Sequence, residues 1–291
     1  MTPLPRASIL ALAFYFGLPL VQISGTLRGQ AVSTDPILAI AHKLFTEATL
    51  LASQGLHDEA ETRLWQTLSI REKALGLDHP DVAITLHNLG FIYNAQGRYE
   101  EAEPLLRRAL IIRETAFGPQ HLEVALTLNS LAFTYGVQSR YDKAEPLYER
   151  ALAIDEIVLG PNHLEVAHVL SNLGMLYDDL GRYAEAMTIY ERVLVIREAA
   201  LGSSHPNVAN ILINLASLYH HQGRYTEAVP LYRRSLDIRR AELGPEHSDT
   251  SLALENLILA CELLFALPDV VQEQRSITAP ESMAMLCRLS P

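Results

Sequence analysis

The sequence predicts an all-α chain, a solenoid of antiparallel helical hairpins, and three observations carry that prediction. One 42-residue pattern returns five times without insertion or deletion, starting at Gly55, Gly97, Ser139, Gly181 and Gly223. Apolar residues inside each copy recur at helical spacing. Glycine and proline punctuate every copy at the same places. A unit this short buries its apolar face only against its neighbours, so the copies must stack.

The chain falls into three parts: residues 1–31, an array over 32–266, and a tail over 267–291. In the first part Arg6 precedes an apolar run from Ile9 to Ile23, no acidic residue occurs, and Gly29-Gln30-Ala31 offers small residues for cleavage. That is the pattern of a signal peptide, which predicts an exported (periplasmic or secreted) protein. An uncleaved anchor is the alternative, although Pro19 interrupts the run and it is shorter than the ~20 residues that cross a bilayer.

The array opens with a helix over residues 36–54. In the second copy Gly97 ends a helix, Glu100 and Glu101 favour the start of the next, and Pro104 lies near its first turn. That helix runs to about Ala116, Gly118 and Pro119 stop it, and another spans about Leu122 to Gln138. Gly76, Gly160, Gly202 and Gly244 repeat the stop, so helices cover most of residues 36–266. After Leu267 the pattern decays into a polar cap or a frayed end.

Helical phase selects the core. Leu86, Leu89, Gly90 and Tyr93 share one stripe, as do Leu128, Leu131, Ala132 and Tyr135; Leu170, Leu173, Gly174 and Tyr177; Leu212, Leu215, Ala216 and Tyr219; and Leu254, Leu257, Ile258 and Cys261. The partner helix supplies Ala102, Leu106, Ala109 and Leu110, with small residues matching Ala102 in the other copies. Small against large at fixed positions lets two helices approach and interlock.

Composition excludes some functions. Apolar residues make up 49% and charged residues 20%, enough to fold. A formal charge of -11 lacks the basic footprint that nucleic acid requires, so nucleic acid is not an expected partner. The two cysteines, Cys261 and Cys287, are too few for a disulfide framework; a buried thiol at Cys261 is the first reading and a Cys261–Cys287 bridge the second.

The Leu-x-x-Leu-Gly/Ala-x-x-Tyr and Gly-Arg-Tyr-x-x-Ala elements resemble the tetratricopeptide repeat. The 42-residue period and the Leu-Gly-x-x-His-Pro/Leu-x-Val-Ala element resemble the longer repeats of the kinesin light chain family. The resemblance implies a right-handed superhelix that is not an enzyme, takes no cofactor, and binds a protein or peptide in a concave groove lined by one helix of each repeat. A motor-adaptor role is not implied, because a signal-like segment rather than heptads stands before the repeats.

The position two after Leu86 lies nearly opposite the core stripe and reads Asn88, Ser130, Asn172, Asn214, Asn256. Asparagine is a poor interior helix residue, so its return needs a reason. An amide ladder that holds a peptide backbone is one; bonding between stacked helices is the other, and the two are compatible. Nearby candidates are His87, Asn129, Ser171, Asn210, His220 and His221, with Phe91, Phe133 and Met175 as pockets for ligand side chains or as packing between repeats. Groove lysines and arginines of the kind that clamp a terminal carboxylate are absent.

His79, His121, His163, His205 and His247 recur at one position each, too far apart to share a metal, and are read as packing or capping residues, so no metal site is expected. No phosphate loop or catalytic motif appears, and Glu101 and Glu149 are read as solvated. The function expected is an interaction scaffold. Self-association through the convex face or the C-terminal end is the alternative.

Overall fold

The computed structural model describes residues 35–266, which hold eleven helices and no strand. The signal-like segment, the tail and Cys287 lie outside the described residues. The chain forms two compact units, divided after Pro161. The first contains α1 (Pro36–Ser53), α2 (His57–Leu75), α3 (Pro80–Ala95), α4 (Tyr99–Phe117), α5 (Leu122–Val137) and α6 (Tyr141–Leu159). The second contains α7 (Leu164–Asp179), α8 (Tyr183–Leu201), α9 (Pro206–His221), α10 (Tyr225–Leu243) and α11 (Ser248–Phe265). Odd-numbered helices are called A and even-numbered helices B. Each A helix pairs with the following B helix as a hairpin, and within each unit the B helix also packs on the next A helix.

Local chemistry explains these boundaries. Each A helix from α3 onward starts at a histidine whose Nδ1 accepts the backbone N–H two residues on, at 3.1 Å for His79, His205 and His247 and 3.2 Å for His121 and His163. The expected capping role of the histidine series is therefore what the structure shows. Proline occupies the first turn of α3 and α9, where no amide hydrogen is missed. α3 ends at a left-handed Gly97, where Arg98 N–H reaches the Tyr93 carbonyl and Gly97 N–H the Asn94 carbonyl. Ser139 takes the same left-handed conformation without being glycine, with φ 58°.

The Gly-Arg-Tyr element is a structural tie. Arg98 lies 4.0 Å over the Tyr93 ring and bonds Glu61 of the preceding B helix at 2.6 Å and Glu101 of its own at 2.7 Å. Arg140 repeats this over Tyr135 with Glu103. Glu101 is exposed, as expected, and in addition ion-paired, because the Arg98 motif places a cation within reach.

Hairpins interlock through small residues. Ala60, Ala102, Ala144, Ala186 and Ala228 are all completely buried. A Cβ added to Gly174 would lie 2.5 Å from Tyr190 Cε1, so the tyrosine ring fills the space that glycine leaves. The predicted stripe is buried in the inner repeats, while Tyr219, Leu254 and Ile258 are only half-buried. Cys261 is buried and disulfide-bonded, which corrects the first reading of a free thiol.

A buried arginine joins the B helix to the following A helix in four of the five described cases. In the first unit Arg71 donates to the Asp81 carbonyl and the Thr85 hydroxyl, both at 2.9 Å. Arg113 donates to the Glu123 carbonyl at 3.0 Å and Thr127 at 2.6 Å, and pairs with the Glu123 carboxylate at 2.7 Å. In the second unit Arg197 reaches the Asn207 carbonyl and Ser171, and Arg239 the Asp249 carbonyl and Asn210. Burial pulls the Arg197 guanidinium down to about 10. The equivalent residue of the remaining copy is Asp155, also buried.

Arg113→Met removes the hydrogen bonds to the Glu123 carbonyl and Thr127 and leaves the Glu123 carboxylate without its partner, so urea unfolding should show a loss of ~2–4 kcal/mol. Arg107→Met, on an exposed side chain of the same helix, should change stability by less than ~0.5 kcal/mol.

Candidate functional site

The A helices carry the nominated residues, and the two units use them differently. In the first unit His87, Asn88, Asn129, Ser130 and Phe133 are buried and Phe91 is half-buried. Asn88 Nδ2 donates to the Ile84 carbonyl at 2.8 Å and Ser130 Oγ to that of Leu126 at 3.2 Å, each one turn back on its own helix. Asn94 Nδ2 donates to Thr134 Oγ1 at 2.9 Å, bonding α3 to α5. The expected outward-facing ladder is therefore replaced here by covered side chains. Neighbouring A helices close over positions that the phase of one helix leaves open. The His87 ring has no partner at Nδ1, and burial, aided by Arg113, holds its pKa well below the usual histidine range.

In the second unit Asn172 and Asn214 are buried, and Met175, Asn210 and Asn256 are half-buried. Ser171 and Asn210 accept hydrogen bonds from the buried Arg197 and Arg239, which makes them parts of the joints between helices. Asn214 differs: it is 4% exposed, and neither its Nδ2 nor its Oδ1 makes a hydrogen bond of good geometry. The Tyr190 hydroxyl is its neighbour: burial pushes that phenol well above the usual tyrosine range, and a weak hydrogen bond with Asn214 works the other way.

Further groups gather toward the C-terminal ends of α7 and α9. His221 Nδ1 stands 3.8 Å from Asp178 Oδ1. The His220 ring meets Tyr225 and Tyr232 edge-on, at centroid distances of 5.2 and 6.4 Å, and burial followed by His221 lowers its pKa. Tyr232 and Ser217 share a hydrogen bond of 3.1 Å. Sequence reasoning missed Asp178, Asp179, Tyr190, Ser217 and Tyr232. The acidic pair had a signal, since the positions matching Asp178 hold Asn94, Gly136, His220 and Glu262.

The tetratricopeptide repeat family model matches residues 39–115, 81–157, 123–199, 166–241 and 207–265. The chain belongs to the tetratricopeptide repeat family, whose arrays are generally non-catalytic protein–protein interaction scaffolds. Within it the chain is of the kinesin light chain-like type. It is similar to BtubC (BKLC) from P. vanneervenii at 27% identity and TM-score 0.63, over 73% of this chain and 85% of that one. It is also similar to a Podosopora anserina protein of kinesin light chain type with nearly identical TPR-like repeats, at 26% identity and TM-score 0.59, over 69% of this chain and 95% of that one. No curated protein matches the chain.

His168 is a half-buried residue whose Nε2 is enclosed and unpartnered, and burial of the ring, with Arg197 nearby, pushes its pKa down to about 4. The folded value lies below the unfolded one, so the unfolded chain takes up the proton first and stability falls as pH drops from 6.5 toward 4. Between pH 7 and pH 5 the loss should be on the order of 2 kcal/mol. His168→Leu, copying Leu126 and Leu252 at the same repeat position, should remove that share of the slope in urea titrations at the two pH values.

Proposed function

We propose that the chain is a non-catalytic scaffold that holds an extended polypeptide segment along the A-helix faces of its repeats. His87, Asn88, Phe91, Asn129, Phe133, Asn172, Met175, Asn210, Asn214 and Asn256 mark those faces. The observation that carries the reading is the Asn214 amide, buried with no hydrogen bond of good geometry and only a weak one to Tyr190. Such a group costs ~1–3 kcal/mol in the folded state, and an apolar residue of similar volume would not. An extended peptide presents a C=O and an N–H per residue, the complement of one side-chain amide. The amide is covered in the free state, so capture involves a change of Asn214 rotamer that turns it toward the ligand. Family membership supports a protein partner. Export, read from residues 1–31, belongs to the same proposal.

The self-association reading draws on exposed aliphatic side chains of B helices, Ile111 on α4 and Ile157 and Val158 on α6. Two variants separate the readings. Asn214→Leu should raise the melting temperature by a few degrees, as removal of ~1–2 kcal/mol of unpaired polar burial implies. The same variant should lose binding to an array of immobilised decapeptides that the unaltered chain binds. Unchanged array binding by Asn214→Leu counts against the peptide reading. A sedimentation coefficient that falls with Ile157→Lys favours self-association.

A further inference from the structure

α1 leaves uncovered a seam that the two other A helices of its unit bury. Ile37, Ile40 and Leu50 are 56%, 55% and 59% exposed, Lys43 is exposed, and Leu44 and Glu47 are half-buried. These residues follow one another at helical spacing, so they form a single stripe along the helix. The repeat positions of Ile40, Lys43, Glu47 and Leu50 are Val82, Thr85, Leu89 and Ile92 on α3, and Val124, Thr127, Leu131 and Thr134 on α5, all of them buried. On those helices the seam receives the preceding B helix, where Arg71 bonds Thr85 and Arg113 bonds Thr127. Among the described residues no helix precedes α1.

Two charged residues in the seam decide what can cover it. Lys43 stands where Thr85 and Thr127 accept a guanidinium, so a B helix with the usual arginine would bring cation against cation. Residues 15–33, one repeat before α2, hold Gly29 at the arginine position and Gly17, Pro19 and Gly25 inside, and do not read as such a helix. Glu47 stands where Leu89 and Leu131 are apolar. Inside the chain it meets Lys43 at 3.9 Å and Arg63 at 3.4 Å, both at the surface, which leaves the carboxylate open to a further cation. Ile40 precedes Lys43 by the same interval at which Leu50 follows Glu47, so the stripe is its own complement when read backwards. About a dyad level with Phe45, antiparallel packing sets Lys43 against the partner's Glu47 and Ile40 against the partner's Leu50, and each pair is made twice.

We propose that α1 is a self-association surface, on which two copies of the chain pair their first helices antiparallel through Ile40, Lys43, Glu47 and Leu50. The aliphatic residues leave water on pairing, and the two crossed ion pairs fix the register and the antiparallel sense. The seam lies on the side of an A helix that meets the preceding repeat, so the pairing stands or falls separately from the peptide reading.

The test is sedimentation equilibrium of the purified full chain between about 1 and 100 µM, the range in which a small interface dissociates. The weight-average mass should rise about twofold across that range and stop there, because an isologous pair is closed. Ile40→Glu with Leu50→Glu should hold the mass at the single-chain value throughout. Its circular dichroism melt at the lowest concentration should match that of the unaltered chain, since both side chains already face water in the single chain. Lys43→Glu and Glu47→Lys should each weaken the dimer about tenfold or more, because like charges then meet across the dyad. Mixing these two variants should restore it, since every crossed pair is again opposite in sign, a rescue that no contact inside one chain can give. A mass that stays at the single-chain value in the unaltered protein overturns the proposal, as would follow if residues 1–34 of the same chain covered the seam. A dimer that survives Ile40→Glu with Leu50→Glu, or that is lost in Ile157→Lys instead, places association elsewhere and overturns it. So does a mixture of the two charge variants that stays as weak as each alone.

Discussion

The stacking within each unit depends on a charge that has been taken out of water. A guanidinium buried between two hairpins costs least when its hydrogens are met; Arg71 and Arg113 each reach a backbone carbonyl and a threonine hydroxyl at the start of the following A helix, although the Arg113 Nε is left without a partner. Those acceptors lie ten and fourteen residues along the chain, so the contact forms only if the intervening turn has a fixed length. The constant 42-residue period is the sequence counterpart of that geometric demand. Because the arginine fixes where each A helix enters, it also fixes which A-helix residues face one another.

Most polar residues of the A helices serve this construction. Thr85, Thr127, Ser171 and Asn210 accept from buried arginines, Asn88 and Ser130 bond their own helices, and Asn94 crosses to Thr134. Asn214 stands apart because the same side chain at an equivalent position does none of these things. Unmatched buried polar atoms also occur at His87, Arg113 and His168, so Asn214 belongs to a small set, and groups of that kind concentrate where function competes with stability.

The fold was legible because its signals repeat. Helix ends fell within a residue or two of those expected from Gly97, Gly118 and their equivalents, and the histidine series caps helices because an imidazole nitrogen reaches the second amide. The site was harder for two physical reasons. Phase on a single helix identifies the side away from the hairpin partner but not what a third helix covers, so Asn88 looked open and is buried. Repeat comparison also weights what recurs, whereas Asp178 and Asp179 occur once and depend on contacts with α8 and α9 that no single copy contains. The bridge at Cys261 was unreadable for a related reason: the core phase of that residue is the same whether its sulfur is free or bonded.

The histidine caps make each helix origin a self-contained unit. At each of His79, His121, His163, His205 and His247 the ring nitrogen acts as an acceptor for an amide of its own helix, so a side chain without an acceptor there leaves that amide hydrogen bare. The damage stays where it is made, because no cap draws on a residue of another repeat. A staircase built this way can lose one footing without the next step shifting.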